Sequence, residues 1–257
     1  MKILKPLRRS RTLVGLVMIL ILWQLLHLGV SSRIMPGPLE TTLAFFRLLS
    51  EGLLLHMGIS LYRIAAAMAA AMVIGVPLGL WMGLSKRADW ILSPMTYILY
   101  PIPKVAFLPL FMVLFGLGDA SKIILIIAII VFPIILAVRD GVKEIPEELH
   151  YSVRSLGLNQ RQIYTELVLP AVLPKILSAL RVSIGVSIAT LFFSENFATT
   201  FGIGYFIMNA WVMADYVGMF AGILAMSLMG ILIFKGVDLL EKKICPWMAA
   251  SSNVNFL

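Results

Sequence analysis

The stretch Val142–Pro174, VKEIPEELHYSVRSLGLNQRQIYTELVLPAVLP, decides how the rest of the chain is laid out. It is the longest polar interruption after the first third of a greasy sequence, and it holds Lys143, Glu144, Glu147, Glu148, Arg154, Arg161 and Glu166. Local rules read it as helix, glycine break, helix, proline stop. Pro146 fits a first helical turn, with Glu147 and Glu148 at the positive end of that helix. Gly157 fits a left-handed cap. Asn159 fits the start of a second helix, and Pro170 and Pro174 are expected to keep that helix from running unbroken into the next span.

On either side of this stretch the composition is that of a membrane protein. Of 257 residues, 60% are hydrophobic and 13% charged, which excludes an ordinary soluble domain. The fold class expected is all-α, a polytopic membrane protein folded as one transmembrane domain over residues 1–257. A single cysteine, Cys245, excludes an internal disulfide and a Cys-rich metal site, and His27, His56 and His150 lie far apart with no ligand spacing. The net charge of +8 would suit a nucleic-acid partner in a soluble protein. In a membrane protein it is better explained by positive charge held on the cytoplasmic face, and no nucleic-acid partner is expected.

Six spans are expected, at about 12–30, 62–84, 92–116, 121–138, 175–195 and 216–234, with the polar loop 142–174 between the fourth and fifth. Residues 12–30 carry no charge and follow a basic start; no small-x-small cleavage site comes after them, so they read as a span rather than a signal peptide. A short amphipathic piece around 43–55 is expected at the membrane surface. The second span is rich in Ala and Gly, which lets helices approach closely. The third contains Pro94, Pro101, Pro103 and Pro109 and is expected to be irregular, a form tolerated only where protein or water satisfies the freed backbone groups. Residues 196–214 are too polar and glycine-broken to span. With both termini inside, cytoplasmic segments hold 15 Lys/Arg and external ones hold three, Arg33, Arg47 and Lys122. That asymmetry places the polar loop in the cytoplasm.

Within this layout the polar loop resembles the cytoplasmic loop of the permease subunits of bacterial ATP-binding-cassette importers. That loop reads Glu-Ala-Ala, three residues, Gly, nine residues, Ile, one residue, Leu-Pro. Here Gly157 is followed by nine residues and then Leu167, Val168, Leu169 and Pro170. The triplet falls on Tyr151, Ser152 and Val153, so its glutamate is absent. Four further pieces resemble the nitrate, sulfonate and taurine group of these permeases: HMGISLYR at 56–63, GVPLGLWMGLS at 75–85, YPIPKVAFLPLFMVLFGLGDASK at 100–122 and SENFATTFGIGYFI at 194–207.

The resemblance implies a homodimer of permeases in a bacterial or archaeal inner membrane. It also implies two ATPase subunits that carry the ATP and Mg, an external substrate-binding protein, and alternating access. No GxxxxGK[ST] phosphate loop appears in the chain, so no cofactor is expected on it and it is not expected to be an enzyme. The loop would dock on the ATPase through Glu148, Tyr151, Arg154, Gly157, Leu167, Leu169 and Pro170. Glu195, Asn196, Lys104 and Met208 are the candidate path residues. Ionisable groups in spans default to a functional reading, yet Glu195 could equally reach external water and Lys104 could snorkel to the cytoplasmic side. Arg63 reads as an anchor at the start of the second span, and Arg181 as serving the cytoplasmic interface or a partner helix. Phe192, Phe193 and Phe197 fit a gate or plain packing. The substrate expected is a small anion such as a sulfonate, taurine or nitrate. A small heteroaromatic vitamin or precursor is the alternative within the family. A self-sufficient secondary transporter or channel is the alternative of another class, and a purely structural scaffold the third.

Overall fold

The computed structural model describes the backbone of residues 4–30 and 34–251 and, within it, the side chains of residues 13–30 and 34–248. Lys2 and Arg33 of the charge count lie outside the described residues, and the side chains of Lys5, Arg8, Arg9 and Arg11 outside the described side chains. Every regular element described is helical. Five helices are long and apolar enough to cross a membrane, or six if one bent pair of helices counts as a single span.

The core is built on α3 (Leu54–Leu84), α6 (Asp119–Lys143) and α9 (Leu169–Glu195). In α6 the residues Ile126, Ile130, Ile134 and Val138 recur every four positions, and each is fully buried. This is the spacing of a single helix face. The facing stripe of α3 is small. Gly75, Gly79 and Gly83 meet Ile134, Val138 and Val142 in that order, so the two helices run parallel. A Cβ on Gly79 would lie 2.7 Å from the Ile135 carbonyl oxygen and 2.7 Å from Val138 Cβ. The helices therefore touch backbone to backbone, and dispersion between close surfaces holds them where lipid offers no hydrophobic drive. Gly79→Ala is expected to cost about 1–3 kcal/mol, read as a lowered thermal midpoint of the detergent-purified chain. Gly236→Ala, whose added carbon meets nothing within 4 Å, is the control. Equal midpoints for the two variants would refute the close-packing account.

The spans depart from the sequence expectation in instructive ways. α2 (Pro38–Leu48) runs into α3 through a π-helical turn at Leu49–Leu53, kinked where Gly52 takes φ 122°. Residues 43–55 thus lead into the second span instead of forming a separate surface piece. The third span is broken as its prolines require: α4 (Lys86–Leu99) and, after a 3-10 turn at Lys104–Phe107, α5 (Leu108–Phe115) meet at 81°. The proline stop after the polar loop is corrected. Helix continues from α8 (Gln160–Ile163) through a π-helical turn at Tyr164–Val168 into α9, a single stretch Gln160–Glu195. The wider turn changes the hydrogen-bond register just where Pro170 has no N–H to give, so the helix passes the proline without ending.

α10 (Ile203–Val212) is about 15 Å long at 1.5 Å per residue, half a bilayer, as the polar character of 196–214 requires. α11 (Tyr216–Ile244) packs on α2, α9 and α10. α1 (Leu4–Val30) is mostly exposed along its described side chains; Trp23 ties it down by stacking on Phe220 and donating to the Pro36 carbonyl at 3.1 Å.

Candidate functional site

The bundle positions three features along its axis: an exposed elbow at one end, a cavity at mid-length, and a buried ion cluster at the other end. The elbow comprises α7 (Glu147–Ser155) and α8, joined at Gly157. Gly157 has φ +79°, its N–H donates to the Arg154 carbonyl at 2.9 Å, and the Leu158 N–H donates to the Val153 carbonyl at 3.3 Å. These two bonds close a Schellman turn that only a left-handed residue completes easily. Asn159 caps α8 reciprocally with Gln162, at 3.0 and 2.9 Å. Pro146 stands one position before the first helical residue, as its N-cap.

No residue of α7 is buried, whereas Ile145, Ile163 and Val168 belong to the core and Val153, Leu158 and Leu167 pack against it. Tyr151 and Leu156 are 62% and 77% exposed. Of the expected contact residues, Glu148, Tyr151, Arg154 and Gly157 thus face out together, while Leu167, Leu169 and Pro170 are half-buried on the helix that carries the elbow. Ion pairs fix the same end of the bundle: Lys175–Glu144 at 2.6 Å, Lys143–Asp89 at 2.5 Å and Arg139–Asp140 at 2.7 Å. Arg181 reaches Asp238 and Glu241 of α11, so it serves a partner helix.

At mid-length a cavity of about 420 Å³ lies between the break in the third span, α6 and α9. Lys104, Tyr100, Pro133, Ser183 and Val186 are among its walls. Lys104 is held at the break by neighbouring carbonyls. Its Nζ turns back onto the break, donating at 2.9 Å to the carbonyls of both Leu99 and Tyr100, and it sits 4.5 Å from the centre of the Phe132 ring. The end of α4 supplies carbonyls without helical partners, and these are good acceptors for a cation.

The third feature unites residues that the sequence presents singly. Arg63, 3% exposed, pairs with Glu195 at 2.6 Å and with Asp119 at 2.6 Å, and donates to the Phe201 carbonyl at 2.9 Å. Glu195 is 0% exposed and also accepts from Ser60 at 2.8 Å and from the Gly204 N–H at 2.8 Å. Glu195 therefore does not reach external water, and Arg63 does more than anchor a span: the cluster joins α3, α6, α9 and the start of α10. Asn196, half-buried, has a buried amide oxygen without a partner in the structure, and Met208 lies half-buried on α10. Neither of them lines the cavity that holds Lys104. The ring centres of Phe193 and Phe197 lie 5.2 Å apart, and the two residues are 41% and 45% exposed. A signal for the cluster exists in the sequence: Arg63, Asp119 and Glu195 fall at matching depths of three spans.

Comparison with known proteins places this architecture. Residues 75–245 match the family model described as binding-protein-dependent transport system inner membrane component. The chain is 32% identical over 192 residues to the taurine transport system permease protein of Escherichia coli (strain K12), covering 75% of this chain and 70% of that protein. It is 27% identical over 246 residues to the nitrate import permease protein of Synechocystis (strain PCC 6803), covering 92% of this chain and 89% of that protein. A chain from an inward-facing conformation of the MetNI methionine ABC transporter superposes with a TM-score of 0.63 at 19% identity, covering 76% of this chain and 97% of that one. This last likeness is one of fold.

Proposed function

The chain belongs to the family of binding-protein-dependent transport system inner membrane components, the permeases of ABC importers, and from that membership we propose how it works. Two copies form the translocation path of an importer for a small anion of the sulfonate or nitrate type. An external binding protein delivers the solute, and two ATPase subunits carrying ATP and Mg drive it. Both chain termini and the elbow lie in the cytoplasm, and the elbow docks on the ATPase.

The observation that carries this reading is the elbow itself. Its outer helix and the turn after it present the exposed Tyr151 and Leu156, while its hinge is fixed by backbone bonds and its inner face is anchored in the core. Large exposed apolar side chains ringed by charge mark a protein-binding surface. A rigid arm continuous with α9 can transmit motion, which a floppy loop cannot. The anion reading is supported by the taurine and nitrate relatives and by Lys104 at mid-length, held by carbonyls and meeting no carboxylate among the described residues.

The test is to extract the tagged chain from its native membrane and identify its companions by mass spectrometry. An ATPase subunit in about one-to-one ratio is expected, and it should be lost from Tyr151→Asp and Leu156→Asp variants that still insert. These exposed substitutions disturb no packed contact, so retention of the ATPase in both variants refutes docking at the elbow. A chain recovered as a dimer without any ATPase refutes the importer assembly.

A further inference from the structure

Three arginines along the bundle, Arg63, Arg139 and Arg181, each meet carboxylates. Lys122, like Lys104, is held by carbonyls, those of Leu117 and Gly118, but at 1% exposure it is sealed from any solute. Lys104 differs from all four. It is half-buried, it lines a cavity, and it meets no carboxylate among the described residues. Carbonyl dipoles at Leu99 and Tyr100 take two of its three N–H donors at 2.9 Å; the third has only the Ile102 carbonyl, at 3.5 Å. Dipoles orient a cation and soften its desolvation, but they leave its full charge in place.

The place matters as much as the charge. Pro133 lies near the centre of α6 and Ser183 near the centre of α9, so the cavity sits about midway through the bundle. Discontinuous helices at this depth are where transporters put binding groups, because irregular backbone survives only where it lines a cavity. Apart from Tyr100 and Ser183, the other wall side chains, Pro133, Val186 and Ile129 among them, are apolar.

Building on the anion reading, we propose that Lys104 is the charge-selecting group of the translocation path, contacting a small monovalent anion at the break in the third span. One weakly held N–H amid mostly apolar walls recognises the charge of a sulfonate or nitrate without gripping it in a fork, as an arginine would. A transport site must release what it recognises. Lys104 thus sorts anions from neutral solutes at mid-membrane, behind whatever selection the binding protein makes.

The experiment uses the complete complex, permease with its ATPase and binding protein, in proteoliposomes. The probes are labelled ethanesulfonate, nitrate and a neutral hydroxymethylpyrimidine. Lys104→Gln is expected to lower initial anion uptake at least ten-fold, while ATP hydrolysis stimulated by the binding protein stays within two-fold; Lys104→Arg should keep at least a third of the uptake. Anion uptake by Lys104→Gln within two-fold of the parent overturns the site and leaves the importer reading standing. Uptake of the pyrimidine and of neither anion by the parent complex overturns both. Should Lys104→Gln fail to assemble, Ser183→Asp sets a carboxylate in the same cavity with Lys104 in place. It should lower anion uptake at least ten-fold with hydrolysis retained, and unchanged uptake again overturns the site. Loss of uptake and hydrolysis together in both variants assigns Lys104 a structural role and overturns the proposal.

Discussion

Arg63→Met is expected to destabilise the bundle by about 3–5 kcal/mol, because it strands a buried carboxylate. Glu195 has no exposed surface, and its partners are Arg63 at 2.6 Å, the Ser60 hydroxyl and the Gly204 N–H. Two neutral donors cannot repay the desolvation of a full charge. Asp119 would lose its partner as well, but it is 46% exposed and water compensates it. The thermal midpoint of the detergent-purified chain should fall by roughly 10 °C, at a few degrees per kcal/mol for a chain of this size.

Glu195→Gln alone should cost less. The amide oxygen still accepts from Gly204 and Ser60, and Arg63 keeps Asp119 and the Phe201 carbonyl. The decisive measurement is the double variant. Arg63→Met with Glu195→Gln removes the stranded charge and should be more stable than Arg63→Met alone by at least about 1 kcal/mol, the sign of a coupled pair. If the second substitution instead lowers the midpoint further, the two side chains act independently and the ion-pair account fails.

The same cluster marks where the sequence is legible and where it is not. Strong local signals survive into the structure. The third span does break, at Pro101 and Pro103, while Pro94 is carried inside α4; Gly157 does take the left-handed cap, and Asn159 does cap the helix after it. Each of these depends on a residue's own backbone chemistry and on neighbours a few positions away. The small-residue character of the second span is visible too, but not which helix fills it. That Val138 seats against Gly79 depends on the relative placement of two helices.

Two failures share a cause. Pro170 reads as a stop by every local rule, and the helix passes it because a π turn one step earlier absorbs the missing donor. Taken one at a time, Arg63 reads as an anchor and Glu195 as a path or surface carboxylate, and Asp119 draws no reading of its own. Their meaning emerges only when residues 132 positions apart are brought within hydrogen-bond distance. The seat of Lys104 is equally illegible: the carbonyls of Leu99 and Tyr100 lie within its reach only because the chain breaks there, and they hold it.

Gly157→Val is expected to leave insertion and abundance within two-fold of the parent and to lower transport at least ten-fold. The separation of these effects follows from the surroundings of the residue. An added Cβ at Gly157 would meet nothing within 4 Å, so the substitution carries no packing penalty and touches no core contact. Its whole cost is local. At φ +79° a β-branched residue costs about 1–2 kcal/mol, and the chain can relieve that by abandoning the Schellman turn. The bonds from Gly157 N–H to Arg154 and from Leu158 N–H to Val153 then open, and α7 loses its fixed angle to α8. The bundle remains folded, because Ile145 and Ile163 stay anchored on either side. What is lost is the rigid transfer of motion from the exposed helix to α9, so ATP hydrolysis by the partner should continue without the stimulation that loaded binding protein normally gives. Gly157→Asn supplies the control, since asparagine enters the left-handed region at small cost; it should transport close to the parent rate. Parent-level uptake in Gly157→Val would mean that the elbow angle is mechanically idle and that coupling runs through another contact.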